Sequence, residues 1–258
     1  MFPSWQSYSN FAHAVVRQER YVRSVETSAF IEAVLSTSIT RERLIREGTI
    51  LWRAQLGFDM DEVESDGRTV EAPAPYSPAR MKPLPFARVD GRVNPVGISA
   101  LYLATDERTA ISEVRPWIGK HVSVAQLKIM REVKVIDCSL GYSEGFLFYE
   151  QEPSPEDREN AVWHCINRAF AEPVSDDRRT TEYIPTQVLA EYFRAHGVDG
   201  VVYQSLLGGG KTVALFDVRA ADVINCALHY VRGVNFSYDQ VANPYFVGKH
   251  YPDTKSNV

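Results

Sequence analysis

The stretch from Gly91 to Trp117, GRVNPVGISALYLATDERTAISEVRPW, constrains the fold more than any other part of the chain. Asn94-Pro95 and Gly97 mark a turn. Ile98–Ala104 then runs almost without interruption through apolar residues. A strand without polar alternation is buried on both faces, so it needs neighbouring strands and packed layers above and below it. Thr105 or Asp106 can cap a short helix running to Val114 and ended before Pro116. A buried strand that passes directly into a helix points to mixed α and β structure.

The flanking regions fit that frame. Phe11, Val15, Val22, Val25, Ala29 and Ala33 recur at helical spacings and predict one helix over residues 9–36. Thr40 can cap a second short helix, Arg41–Glu47, stopped by Gly48. Thr49–Gln55 reads as a strand with Ile50, Trp52 and Ala54 on one side and Leu51, Arg53 and Gln55 on the other. Residues 59–90 carry the acids Asp59, Asp61, Glu62, Glu64, Asp66 and Glu71 and then the prolines Pro73, Pro75, Pro78, Pro83 and Pro85. This predicts a long loop with little regular structure, either a lid or binding loop or a solvated excursion.

Strands are expected at His121–Ile129 and Val133–Cys138, while residues 141–153 show no clear pattern. Ser154-Pro155-Glu156-Asp157 starts a helix that runs to about Ala171. A polar loop follows over 173–182, then a helix opened by Pro185, Thr186–His196, with Gly197 as its stop. Asp199–Ser205 and Thr212–Asp217 read as strands joined by a glycine-rich turn, and the polar tail after Asn243 as frayed. Strands and helices interleave without strict alternation, so the expected class is α+β with a mixed sheet. The organisation reads as an N-terminal helical extension (1–47), a core domain (48–225, with the 59–90 loop as an insertion) and a C-terminal strand and tail (226–258).

Composition excludes several classes. With 258 residues, 45% hydrophobic and 24% charged, the chain can bury a full core as one large domain or two small ones. The net charge of −5 and the absence of a basic stripe argue against direct nucleic-acid binding. Cys138, Cys165 and Cys226 are odd in number and show no C-x-x-C spacing, which disfavours a disulfide scaffold or zinc ribbon and suits a reducing cytoplasm. No apolar run approaches the length of a membrane span, and no signal peptide is evident. No metal site is expected.

Familiar catalytic motifs are missing. Gly208-Gly209-Gly210-Lys211 lacks Walker spacing and is followed by a strand, and neither a G-x-G-x-x-G nor a G-x-S-x-G motif occurs. What remains is a polar set at the edges of apolar strands: Arg92, Tyr102, Glu113 and Ser205. Each has a structural reading of its own, as a surface arginine, a core tyrosine, half of an ion pair, or a turn serine.

Three blocks in order give the set a different meaning. Gly91-Arg92-Val93-Asn94-Pro95-x-Gly97 is followed by Leu101-Tyr102-Leu103-Ala104 and Thr109-Ala110-x-x-Glu113-Val114. Leu51-Trp52-Arg53-Ala54 precedes them; Tyr183–Leu189 and Gly197–Ser205 come after. Together, over residues 48–218, they resemble the RES domain, a family named for its arginine, glutamate and serine. The resemblance implies an ADP-ribosyltransferase-like fold and an enzyme that consumes NAD⁺, often a bacterial toxin neutralised by an Xre-type antitoxin. It implies Arg92, Tyr102, Glu113 and Ser205 as site residues, with Arg53 as a second arginine. No cofactor is implied: NAD⁺ is the substrate, cleaved by a glycohydrolase or by a phosphorylase using inorganic phosphate as co-substrate. The alternatives are an ADP-ribosyltransferase acting on a protein and a non-catalytic binding module. Val93 stands where many members have tryptophan. Segments 1–47 and 59–90 exceed the minimal domain, and could cap the site, replace the antitoxin contact or build a homo-oligomer interface.

Overall fold

The computed structural model describes residues 1–65, 67–142, 149–173, 179–238 and 240. Helices α1 (Ser7–Arg17) and α2 (Val25–Ser38) open the chain, and a 3-10 turn over Ile39–Arg41 leads into β1 (Glu42–Ile45). β2 (Ile50–Leu56) is followed by the hairpin β3 (Asp59–Ser65) and β4 (Arg68–Ala74), and by a single helical turn, α3 (Pro78–Met81). β5 (Leu101–Ala104), α4 (Glu107–Glu113), β6 (His121–Ile129) and β7 (Val133–Asp137) come next. α5 (Pro155–Ala171), α6 (Arg179–Glu182) and α7 (Ile184–Ala195) then precede β8 (Gly200–Gln204), β9 (Lys211–Leu215) and β10 (Ala221–Tyr230).

Eight strands form one mixed sheet in the order β1-β7-β8-β9-β5-β2-β6-β10. β7 and β8 run parallel and the other neighbours antiparallel. α1, α2, α5 and α7 cover one face, where Phe11, Phe30, Trp163 and Phe193 pack with Ile136 and Val201. Leu51, Met81, Leu101, Leu127 and Val202 fill the other face. Leu101 and Leu103 look into this second core while Tyr102 packs against the first, the alternation expected of a central strand. Among the described residues no helix is long and apolar enough to cross a membrane.

Four expectations are corrected. The single helix over 9–36 is two helices: Glu19 Oε2 accepts the Ser24 amide at 2.7 Å, and the Ser24 hydroxyl accepts the Thr27 amide at 3.2 Å to cap α2. That break leaves Val22 and Val25 86% and 80% exposed. The predicted helix Arg41–Glu47 is mostly strand, because Glu42–Ile45 pairs with Val133–Ile136 at the sheet edge and the ladder overrides local propensity. The loop over 59–90 contains the β3–β4 hairpin, turned at Gly67 (φ 70°), and α3, which anchors the fully buried Met81. The polar segment 173–182 also includes the short α6, and the tail beyond Asn243 lies outside the described residues.

The junction between β2 and β5 matters most for function. β2 pairs with β6 over its whole length, from Ile50↔Lys128 to Leu56↔Val122. It meets β5 at one rung, Trp52↔Ala104. Two well-paired half-sheets are thus joined by a single rung of the ladder, and side chains can line a hollow where they part.

Candidate active site

That hollow is a cavity of about 310 Å³, at the small end of the usual range for small-molecule sites. Trp52 and Arg53 of β2 and Tyr102 of β5 form one side, and α4 closes another with Ala110 and Glu113. Arg92 and Tyr183 come from the loops, and Tyr203 and Thr212, paired across β8 and β9, also line it.

Glu113 is the last residue of α4 and is solvent-exposed at the cavity. Asp106 caps that helix by accepting the Thr109 amide at 2.8 Å. The other end of the arrangement is Ser205, which is 3% exposed. Its hydroxyl accepts the amides of Leu207 at 3.2 Å and Gly208 at 3.0 Å. Its one proton is donated to Glu113 Oε1 at 2.6 Å. Ser205 is therefore not on the cavity wall; it reaches the site through Glu113.

The glycine-rich turn between β8 and β9 exists for this contact. A Cβ on Gly208 would sit 2.4 Å from Thr109 Cα, and one on Gly210 would sit 2.1 Å from Asp106 Oδ2. Thr109 Oγ1 accepts the Gly210 amide at 3.1 Å. The turn thus packs backbone-close on α4, which only glycine permits. The same packing fixes the serine opposite the glutamate.

Tyr102 and Gln187 build the loop that carries Arg92. The Tyr102 hydroxyl accepts the Val93 amide at 3.1 Å and donates to Asn94 Oδ1 at 2.7 Å. Burial drives the phenol pKa well above its ordinary value, so the hydroxyl stays a donor. Gln187 Nε2 donates to the Gly91 and Asn94 carbonyls at 2.9 and 3.0 Å. The Gly91–Gly97 and Tyr183–Leu189 blocks, far apart in sequence, thus interlock.

Arg92 reaches the end of α5. It donates to the carbonyls of Ala169 at 3.1 Å, Ala171 at 3.3 Å and Glu172, and its guanidinium lies 5.5 Å from the Tyr183 ring centre. These carbonyls lie at the negative end of a helix, where unpaired acceptors favour a cation. Three of the five guanidinium protons are taken up in this way, leaving two without a hydrogen-bond partner among the described residues.

Arg53 Nη1 donates to the Tyr102 carbonyl at 3.0 Å, while its Nε is buried with no hydrogen-bond partner among the described residues. Burial lowers its pKa, and among the described residues neither Arg53 nor Arg92 forms an ion pair. Two guanidinium groups without carboxylate partners among the described residues, beside one cavity, have the chemistry that suits an anion.

Four of the five residues singled out in the sequence, Arg53, Arg92, Tyr102 and Glu113, line this cavity, and Ser205 touches one of them. Trp52, Tyr183, Tyr203 and Thr212 line it too and were not among the expected site residues. Tyr203 is buried and stacks on Phe170 at 5.7 Å, which from sequence is indistinguishable from a core aromatic. Its position two residues before Ser205, on the same strand face, was the available signal.

No curated protein matches the chain. Among solved structures it is similar to a chain from the crystal structure of the M. tuberculosis MbcT-MbcA toxin-antitoxin complex, with 14% identity and a TM-score of 0.40, covering 77% of this chain and 93% of that one. The model of the RES domain family matches residues 51–239. That span begins one residue before Trp52 and takes in every side chain around the cavity, and by it the chain belongs to the RES domain family.

Proposed function

We propose that the cavity binds NAD⁺ and breaks the bond between nicotinamide and ribose, and that the protein is the toxin of a cytoplasmic toxin–antitoxin pair with an Xre-type antitoxin as its partner. The observation that carries the enzymatic reading is a carboxylate fixed by Ser205 in the same cavity as two unpaired guanidinium groups. The toxin reading rests on membership of the RES family.

The chemistry follows from the charges. When the C1′–N bond breaks, its electron pair leaves with nicotinamide, which departs as a neutral base and needs no acid. The ribose is left with oxocarbenium character. One carboxylate beside C1′ stabilises that charge, and among the described residues Glu113 is the carboxylate lining this cavity. Arg53 and the two free protons of Arg92 suit the diphosphate. The aromatic rings of Trp52, Tyr183 and Tyr203 offer flat surfaces to the pyridinium. An oxygen of water or inorganic phosphate then bonds to C1′ and gives up its proton.

Incubating NAD⁺ with the pure protein, with and without phosphate, tests the proposal. Nicotinamide and ADP-ribose in either buffer identify a glycohydrolase. Nicotinamide formed only with phosphate, together with a phosphorylated sugar nucleotide, identifies a phosphorylase. Label transferred from NAD⁺ to a protein replaces both with ADP-ribosyl transfer. Unaltered NAD⁺ after long incubation overturns the enzymatic reading.

A further inference from the structure

We propose that two copies of this chain associate by seating the β3–β4 hairpin of each in a basic, apolar groove of the other. The proposal does not depend on the NAD⁺ reading.

The groove has a volume of about 820 Å³ and lies on the opposite side of α4 from the catalytic cavity. Ala110 and Glu113 line the cavity, whereas Arg108, Ile111 and Arg115 line the groove. Trp117, Phe236 and Leu207, which also line it, are 59%, 68% and 39% exposed, and the Trp117 and Phe236 rings lie 5.7 Å apart. Among the described residues no carboxylate lines the groove, although the chain as a whole carries a net charge of −5. Aromatic side chains with arginines mark the centres of protein interfaces. Arg115 is also the one non-glycine residue with positive φ (48°) among those described, a conformation that L residues adopt at a cost.

The hairpin has the complementary surface. Among the described residues β3 and β4 pair only with each other, and they stand exposed. Asp61, Glu62, Glu64 and Glu71 have no ion-pair partner among the described residues. Glu62 sits directly opposite Glu71, a repulsive cross-strand pair. Met60, 49% exposed, shares the face of Glu62, Glu64 and Glu71, while Val63 and Val70, each 43% exposed, point to the other face. Carboxylates beside an exposed methionine match guanidinium groups beside aromatic rings.

Hairpin and groove are also neighbours. Phe58 at the hairpin base packs against His121 with tilted rings 4.7 Å apart, and His121 meets Tyr230 at 5.2 Å. The next residue, Val231, lines the groove. Donor and receptor surfaces at one end of the sheet are what a two-fold axis needs to satisfy both at once. A hairpin in the groove would press on α4 and on Leu207–Gly209, the segments that hold Glu113 and Ser205.

Sedimentation velocity across a concentration series tests the proposal. The wild-type chain is expected to dimerise reversibly, and added salt to weaken the dimer. Arg108→Glu/Arg115→Glu and, separately, Glu62→Lys/Glu64→Lys should each weaken self-association by about tenfold or more. Mixing the two variants should restore a dimer, because both hairpin–groove contacts then regain opposite charges. A wild-type chain that stays monomeric throughout overturns the proposal. So does a wild-type dimer indifferent to salt, either variant dimerising like wild type, or folded variants that fail to associate when mixed.

Discussion

The Ser205 hydroxyl can give its proton only to Glu113, because the Leu207 and Gly208 amides already point at its oxygen. In the proposed reaction Ser205 is therefore a positioning residue for the carboxylate. Ser205→Ala leaves the carboxylate unheld and two amides unpaired. A hydrogen bond to a charged group is worth about 1.5–3 kcal/mol, so kcat for NAD⁺ consumption should fall about 10- to 100-fold. KM should change little, since the hydroxyl does not line the cavity. A purely structural role would instead lower thermal stability and leave the kcat of the folded fraction intact.

Glu113→Gln separates charge from shape. The amide oxygen can still accept from Ser205, and the side chain is exposed, so the fold should be unaffected. Loss of the negative charge beside C1′ should cost about 10²–10³-fold in kcat. Steady-state kinetics on NAD⁺ with a thermal melt measures both quantities, and full activity of the folded variant removes Glu113 from the mechanism.

Arg92→Ala should have two effects. The α5 carbonyls of Ala169, Ala171 and Glu172 lose their cation, which should cost about 1–3 kcal/mol of stability. The cavity loses one of two guanidinium groups, so KM for NAD⁺ should rise. An unchanged KM with collapsed kcat contradicts the anion-binding role. Arg92→Lys should recover part of the KM and little of the stability, because an ammonium cannot fork across three carbonyls.

Alkaline stability should be limited by buried acids. Burial raises the pKa of Tyr8, Tyr102 and Tyr203 above 10.0 and that of Cys138 above 9.0. Below those ordinary values all four are protonated in both states and contribute no pH dependence. Above them the unfolded chain loses protons that the folded chain keeps, so stability falls as pH rises toward the raised folded values. Urea midpoints should be flat through neutral pH and drop beyond about pH 10. A midpoint that holds there would show that these groups are solvated.

The buried elements were legible because their signals are dense. The apolar run of β6 places its ends at His121 and Ile129, and Asp106 caps α4 as its side chain allows. The break between α1 and α2 was hidden because Gln18–Ser24 continues a helical composition, and only the Glu19–Ser24 contact reveals it. The β3–β4 hairpin was masked by acids, which are poor strand formers, although Asp66-Gly67 is a strong turn signal. For the site, polar residues at strand edges stood out, whereas Trp52, Tyr183 and Tyr203 look like core aromatics until the half-sheets part around them.

The glycine-rich turn gives the sharpest test of how the site is assembled. Gly208 and Gly209 are adjacent, but their surroundings differ. A Cβ on Gly208 would meet the backbone of α4 at 2.4 Å, and that backbone cannot swing aside as a side chain can. Gly209 has φ 78° and nothing within 4 Å of its Cβ position. Gly209→Ala should therefore cost only about 1–2 kcal/mol of backbone strain, with activity kept. Gly208→Ala must push the turn off α4, carrying Ser205 away from Glu113. It should lose activity to about the level of Ser205→Ala, together with about 1–3 kcal/mol of stability. Equal activity loss in both glycine variants, measured at matched folded fraction, would mean that the close seat of the turn on α4 does not hold the carboxylate in place.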